Sequence, residues 1–204
     1  AYRVSFIEGY VEYERISQHI SNIRAINFLG KPIPEGITTY LSQQIEFIRS
    51  MVRRIFVSVI YPSESPAGEE KYWKHVGLMM DQLEGMMMGF DIFPVLRARY
   101  NEVAPESERI SFQDLYMHNA DGDMETLLDI YRPDEREVMI LSGLKLGLEM
   151  LDCSALVRMT SDGEIYMGHA TWRNYAAMLR HYKFYEFQFS DGEVRLSFSA
   201  SPGL

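Results

Sequence analysis

The chain has 204 residues, of which 47% are hydrophobic, and it carries a formal net charge of −9 at neutral pH. This length and composition suit one large domain or two small ones with a sizeable core, and they argue against a disordered chain. The acidic excess argues against a nucleic-acid partner, because phosphate binding needs a basic surface. The single cysteine excludes an internal disulfide and a zinc site built from several thiolates, and no cofactor or metal is expected.

Hydrophobic residues that recur every three or four positions predict a first helix over residues 3–28. The segment 30–36, which contains two prolines and two glycines, ends this helix. A second helix is predicted to begin at Thr38 or Thr39 as its N-cap and to continue to about Ile60. No apolar run is long enough to span a bilayer. The inward face of the first helix is expected to comprise Val4, Ile7, Val11, Ile16, Ile20, Ile23 and Ile26.

A third helix is predicted over residues 69–90, with two glutamates in its first turn. Two explanations account for its methionines, namely a surface that contacts lipid or an adaptable filling of the core, and the core is favoured. Residues 105–131 are expected to form a short strand or turn followed by the start of a helix, and the charged segment 132–137 breaks the pattern. The methionines concerned are Met79, Met80, Met86, Met87 and Met88.

The hydrophobic period changes to two after residue 152, which predicts strands. Residues 161–164 and 190–193 both read Ser-Asp-Gly-Glu between alternating segments, and Asp-Gly in that setting is the strongest short-range signal for a hairpin. Residues 172–184, between the two hairpins, are predicted to form a helix. Helices followed by strand-strand-helix-strand-strand indicate a layered α+β fold.

Cys153 heads the first predicted strand, a position typical of N-terminal nucleophile hydrolases. In these enzymes the protein itself cleaves the peptide bond before the nucleophile, and the freed α-amine acts as the base. An α-amine titrates at about 7.7 to 8.0, near the value that a general base needs, and a thiol gains most from modest activation. An inert core cysteine is the alternative. Counting outward from the first turn places His169 nearer Arg158 than Cys153, so no direct contact between Cys153 and His169 is predicted.

Residues 152–187 resemble the phospholipase B-like family, with segments 153–156, 168–172 and 178–180 as the most specific parts. The resemblance implies an αββα sandwich of the N-terminal nucleophile type, incomplete in this chain. It also implies self-cleavage between Asp152 and Cys153 and hydrolysis of an amide or ester bond in a lipid-like substrate. The chains of this family are much longer, and the asparagine expected to stabilise the oxyanion is absent here.

The resemblance further implies roles for individual residues. Cys153 is the nucleophile, and Ser154, His169, Thr171 and Trp172 bind the substrate or shape its site. Related acylases carry an arginine at the position that His169 takes. These roles imply that more polypeptide completes the active unit.

Three parts are predicted: a mainly helical part over residues 1–131, a linker or propeptide-like segment over 132–152 that covers the site before cleavage, and residues 153–204 as the start of the nucleophile-bearing sheet. The expected partners are a lipid or N-acyl small molecule and the remaining fragment of the same precursor, and a homodimer is left open. The resemblance implies a lysosomal or secreted location, although the chain contains no signal peptide or glycosylation sequon. The alternative is a non-catalytic lipid-binding or scaffold protein that retains the fold.

Overall fold

The computed structural model describes residues 1–60, 69–103, 109–132, 154–170, 175–189 and 192–203. Within these ranges the chain forms six α-helices followed by four strands and one short 3-10 helix, Tyr175–Ala177, so the predicted mixture of helix and sheet is confirmed. None of the described helices is long and apolar enough to cross a membrane. The helices are α1 (Tyr2–Val11), α2 (Tyr13–Phe28), α3 (Glu35–Ile60), α4 (Glu69–Arg99), α5 (Phe112–Asn119) and α6 (Asp121–Tyr131), and the strands are β1 (Ser154–Met159), β2 (Ile165–Ala170), β3 (His181–Phe189) and β4 (Gly192–Ala200).

The first predicted helix is divided at Glu12 into α1 and α2, and the predicted inward face is wrong for α1. Val4, Ile7 and Val11 are exposed, whereas Ser5 and Gly9 are buried. The reason is the close approach of α4, since a Cβ atom at Gly9 would collide with the backbone of Met86. In α2 the prediction holds, because Ile16, Ile20 and Ile23 are buried.

The third predicted helix is correct in its start and too short at its end, because α4 continues through Pro94 to Arg99. A proline inside a helix removes a backbone donor and favours a break. Here aromatic packing holds the helix directly before Pro94: Phe93 stacks on Tyr13 with ring centroids 4.5 Å apart and contacts Tyr10 at 5.1 Å. Three of its methionines (Met80, Met86 and Met87) lie in the core, as favoured, while Met79 and Met88 are exposed.

The region 105–131 is helical where it is described, instead of a strand or turn followed by a helix start. Helix α5 begins with a reciprocal cap, in which the Ser111 side chain accepts from the Asp114 amide and the Asp114 carboxylate accepts from the Ser111 amide. Helix α3 begins at Glu35, earlier than predicted, and Thr38 donates its hydroxyl to the Glu35 carbonyl at 2.9 Å within the first turn. Thr38 is therefore a helical residue and not the N-cap.

The helices enclose two hydrophobic clusters. One lies between α2, α4 and α5, and the other lies between α2, α3, α5 and α6. Each joins helices that are distant in sequence, so burial of apolar surface is what holds the helical part together. The clusters comprise Tyr13, Ile16, Ile20, Met86, Met87, Phe90, Ile110 and Leu115, and Phe28, Ile37, Leu41, Met117, Met124 and Leu127.

The four strands form two separate antiparallel hairpins, β1–β2 and β3–β4, in the predicted order. The predicted helix over residues 172–184 is wrong in its described part, where the Tyr175–Ala177 turn is followed by β3 from His181. His181, Lys183 and Tyr185 are all more buried than the exposed residues between them. This period of two is typical of a strand and explains why β3 begins as early as His181. The linker 132–152 lies outside the described residues except for Arg132, so its predicted role stays a prediction.

Candidate functional site

The predicted site residues that the structure describes, Ser154 and His169, lie at the end of hairpin β1–β2 away from its turn. Asp152, Cys153, Thr171 and Trp172 lie outside the described residues. Ser154 and His169 are described, and both are exposed. The geometry of the predicted site is therefore described at Ser154 and His169.

The register of β1–β2 differs from the predicted one. Ala155 pairs with His169 and Arg158 pairs with Tyr166, so His169 lies opposite the residue two positions after Cys153 in sequence. The prediction had placed His169 nearer Arg158. The difference arises at the turn, where Met159 and Ile165 form the last pair and fix every pair beyond it. His169 therefore lies toward the cysteine end of the hairpin, by which we mean the end that adjoins Cys153 in sequence.

The turn of this hairpin is held by hydrogen bonds among its own residues. The Thr160 amide donates to the Glu164 carbonyl at 2.9 Å, and the Gly163 amide donates to the Thr160 carbonyl at 3.0 Å. Gly163 has φ +87°, which a glycine adopts without steric cost. The Thr160 hydroxyl donates to the Asp162 carboxylate, and this hydrogen bond lowers the pKa of Asp162. The register is therefore encoded locally.

Small residues surround the cysteine end of the hairpin. Ser154 pairs with Ala170, and Gly168 pairs with Leu156. A Cβ atom at Gly168 would meet no other atom within 4 Å, so the space beside this strand is open. A ligand can approach the backbone closely where side chains are this small.

Both faces of hairpin β1–β2 carry exposed apolar side chains. Directly paired residues share a face, so Val157 and Met167 lie on one face, and Leu156 and Tyr166 lie on the other. All four are more than 60% exposed. Strands that are apolar on both faces are typical of a sheet buried between two layers.

Hairpin β3–β4 is instead fastened to α1 by a buried ion pair. The Lys183 ammonium donates to the Glu8 carboxylate, and Tyr185 donates its hydroxyl to the other Glu8 oxygen at 3.4 Å. The side chains of Lys183 and Glu8 are 6% and 13% exposed. Burial, followed by the charge of Glu8, raises the pKa of Tyr185, so its hydroxyl stays a donor.

A cluster of histidines lies beneath the end of β4. His19 of α2 and His118 of α5 pack edge to face with ring centroids 4.8 Å apart. The His118 Nε2 atom lies 3.2 Å from the Pro202 carbonyl, and Asn119 donates to the Gly203 carbonyl at 2.9 Å. Burial, followed by the nearby His118, lowers the pKa of His19 to about 4. These contacts hold the buried segment 200–203 against α2 and α5.

Sequence reasoning missed Glu8, Lys183 and the paired histidines. The alternation along β3 contains a signal for Lys183, because this lysine occupies the same face as His181, Tyr185 and the half-buried Phe187. No comparable signal marks His19 and His118, which come from helices that are distant in sequence. Within the described residues, no group of His, Cys, Asp and Glu side chains is placed to hold a metal ion.

These features define a mixed helix-and-sheet protein. Its helical part contacts hairpin β3–β4, whereas hairpin β1–β2, which follows the single cysteine, has both faces exposed. The whole chain, residues 1–204, matches the family model of phospholipase B, and the chain belongs to this family. The family predicted from residues 152–187 is thereby confirmed.

Similarity to individual relatives also extends over the whole chain. The chain is 31% identical to phospholipase B-like protein G of Dictyostelium discoideum, with 100% of the chain and 34% of that protein aligned. It is 28% identical to phospholipase B of Crotalus adamanteus, with 100% and 34% aligned, and 26% identical to human phospholipase B-like 1, with 98% and 32% aligned. The chain thus spans about a third of the length of these relatives. No solved structure is significantly similar to it.

Proposed function

We propose that this chain carries the nucleophile of a phospholipase B-family hydrolase that cleaves an amide or ester bond of a lipid-like substrate. The observation that carries the proposal is the position of the single cysteine, directly before β1 in a chain that matches the family throughout. The hairpin supports it, because Ser154 and His169 lie at the end that adjoins Cys153 in sequence. The names of the relatives support a lipid substrate.

Maturation begins with the peptide bond between Asp152 and Cys153. The Cys153 thiolate attacks the carbonyl carbon of Asp152, the carbon–nitrogen bond breaks, and a thioester joins the two residues. Water hydrolyses this thioester, which leaves a carboxylate on Asp152 and a free α-amine on Cys153. The reaction needs no group beyond water, and it creates the base that later turnover uses.

Turnover uses the same thiol on an external acyl group. The α-amine takes the thiol proton, sulfur attacks the acyl carbonyl, and the leaving alcohol or amine takes the proton. Water then hydrolyses the acyl-thioester with the α-amine again as base. His169 takes the position at which related acylases carry an arginine, and its proposed role is electrostatic. Ser154, Thr171 and Trp172 shape the substrate site.

The αββα sandwich is part of the proposal. The support for it is hairpin β1–β2, whose two faces are both apolar and therefore suit burial between layers. Polypeptide equivalent to the rest of the relatives' length would supply those layers. The division into residues 1–131, 132–152 and 153–204 and the lysosomal or secreted location belong to the same proposal.

A matched pair of variants at the nucleophile tests the proposal. Cys153→Ala removes the attacking atom, and Cys153→Ser replaces sulfur with oxygen in nearly the same volume. Mass spectrometry and N-terminal sequencing of the wild type are expected to find a new N-terminus at Cys153, slow cleavage in the serine variant, and none in the alanine variant. Cleavage in the alanine variant at the wild-type rate would exclude Cys153 as the self-processing nucleophile. An intact wild-type chain that binds lipid without hydrolysing it would favour the non-catalytic alternative.

A further inference from the structure

Helices α3 and α4 present aromatic and basic side chains together on their outer side. We name this set the aromatic–basic surface and define it as Phe47, Arg53, Arg54, Phe56, Val57, Tyr72 and Trp73. Phe56 is 69% exposed and Tyr72 is 63% exposed. Soluble proteins rarely leave several aromatic residues uncovered in one place, and such patches mark interaction sites.

Ring contacts and helical spacing define two groups of neighbouring side chains within the aromatic–basic surface. The ring of Phe47 in α3 lies 6.0 Å from that of Trp73 in α4, and Trp73 lies 5.1 Å from Tyr72. Along α3, Arg53 precedes Phe56 and Val57 by three and four positions, so these side chains are neighbours on the helix. Phe47, Tyr72 and Trp73 therefore form one ring cluster across the two helices, and Arg53, Phe56 and Val57 form a second group further along α3.

The opposite side of α3 is already used for folding. Ile37, Leu41, Ile45 and Ile55 are buried, and Val52 packs where Gly77 of α4 leaves room for it. An ordinary surface helix carries polar residues on the side that faces away from the core. The exposed aromatic residues of α3 lie outside both hydrophobic clusters, so they are available to a partner.

This region carries an excess of positive charge, whereas the whole chain is acidic. Segments 46–57 and 69–76 together contain five Lys/Arg and three Asp/Glu, in a chain whose net charge is −9. Arg49 pairs with Glu84 at 3.0 Å. Arg53 and Arg54 are exposed and form no ion pair with any of the described residues. A basic area on an acidic protein suits an anionic partner.

We propose that the aromatic–basic surface docks the protein onto membranes that contain anionic phospholipids. Tyr and Trp favour the boundary between headgroups and acyl chains, because each ring combines an apolar body with a polar atom. Arginines beside them extend to lipid phosphates while their methylene groups stay on apolar surface. The surface consists of residues of α3 and α4 and includes none of the hairpin that follows Cys153, so this inference does not depend on the cysteine chemistry.

Vesicle binding tests the docking surface in the whole 204-residue chain. The Cys153→Ala background prevents any turnover of the lipid during the measurement, and binding is measured by co-sedimentation. The Cys153→Ala protein is expected to bind vesicles of phosphatidylcholine with phosphatidylserine more tightly than vesicles of phosphatidylcholine alone. Added salt should weaken the difference, because it screens the attraction between arginine and headgroup.

Two substitutions separate charge from aromatic contact. The double variant Arg53→Gln/Arg54→Gln is expected to lose roughly 30-fold in partition onto the phosphatidylserine vesicles. The control Arg3→Gln/Arg99→Gln removes the same charge from exposed positions elsewhere and should bind normally. Phe56→Ser should lose roughly tenfold on both kinds of vesicle, whereas Tyr100→Ser, which removes another exposed ring, should not.

The inference is overturned if the protein binds vesicles with and without phosphatidylserine equally tightly. It is also overturned if Arg53→Gln/Arg54→Gln and the control Arg3→Gln/Arg99→Gln bind equally well. It is also overturned if Phe56→Ser leaves vesicle binding intact and instead converts a dimer into a monomer, since the surface would then join two copies of the chain. Circular dichroism and thermal unfolding of each variant show that the fold is retained. Failure of self-cleavage at Cys153 would leave all of these results unchanged, so the two proposals are tested separately.

Discussion

The two hairpins have the same Ser-Asp-Gly-Glu turn sequence and different surroundings. Hairpin β3–β4 is fastened to α1 through Glu8 and Lys183, and the residues after it are buried against α2 and α5. All of β1 and β2 is exposed, including the large apolar side chains of both faces. The turn chemistry therefore determines that a hairpin forms and leaves open what it packs against.

We therefore expect the two hairpins to have different roles, with β3–β4 contributing to stability and β1–β2 to the proposed function. Side chains of β3 stabilise the junction with the helical part, so changes there should alter the free energy of unfolding. Side chains of β1 and β2 contribute little to that free energy, so changes there should act on the reaction that we propose at Cys153. Four experiments test this division, and they are ordered by the size of the expected effect.

Breaking the anchor of hairpin β3–β4 should have the largest effect. Lys183→Met leaves the Glu8 carboxylate nearly buried without its cation, and we expect the free energy of unfolding in urea to fall by about 3 kcal/mol. Adding Glu8→Gln removes the stranded charge, keeps an acceptor for Tyr185 and should restore part of the loss. Arg195 pairs with Glu186 at 3.2 Å on the exposed side of the same hairpin, and Arg195→Met should cost less than about 1 kcal/mol. Equal losses for Lys183→Met and Arg195→Met would mean that the anchor has no special role.

The histidine cluster should make stability depend on pH. The pKa of His19 is about 4 in the folded protein against an ordinary value of 6.5, so the unfolded chain binds more protons between these values. The free energy of unfolding should therefore fall as pH decreases from 6.5 to 4, by up to about 3 kcal/mol. Burial is the main cause, His118, Arg180 and His181 add to it, and Asp121 opposes it. Urea unfolding across this pH range should show a clearly smaller slope in His19→Gln, and an unchanged slope would assign the effect to other groups.

His169 should affect turnover without affecting stability. His169→Ala is expected to lower activity by roughly 30-fold, while His169→Arg should keep substantial activity, because arginine places a positive charge at this position. The free energy of unfolding should stay within about 0.5 kcal/mol of the wild type in both variants, since the position is exposed. Activity is measured against pH in both variants. If His169→Ala keeps its activity and His169→Arg loses it, an electrostatic role of His169 is excluded.

One identical substitution compares the two hairpins directly and should have the smallest effect. Val157→Thr in β1 should change the free energy of unfolding by less than about 0.5 kcal/mol, because Val157 is 63% exposed. Val194→Thr in β4 should cost about 1 kcal/mol, because Val194 is 41% exposed and pairs with Phe187 on the side of the sheet that faces the helices. A larger cost at Val157 than at Val194 would reverse the proposed division.

The sequence predicts Ser154 and His169 as site residues, and this assignment stays a prediction. The predicted hairpin that joins them is present. Their register was predicted incorrectly, because it depends on which pair closes the turn, Met159 with Ile165, and not on the Asp-Gly dipeptide alone. The ion pair of Glu8 with Lys183 could not be predicted from either residue's neighbours.

The sequence by itself determined the long helices of the first 99 residues and the two hairpin turns, and it determined the family. Periodicity, capping residues and Asp-Gly turns act over a few positions, so they are readable locally. Only the tertiary structure decided that Gly9 would face the core in place of Ile7, that α4 would continue past Pro94, and that Lys183 would be buried. Each of these outcomes depends on a helix far along the chain, because close backbone packing, ring stacking and ion pairing require a specific neighbour in space.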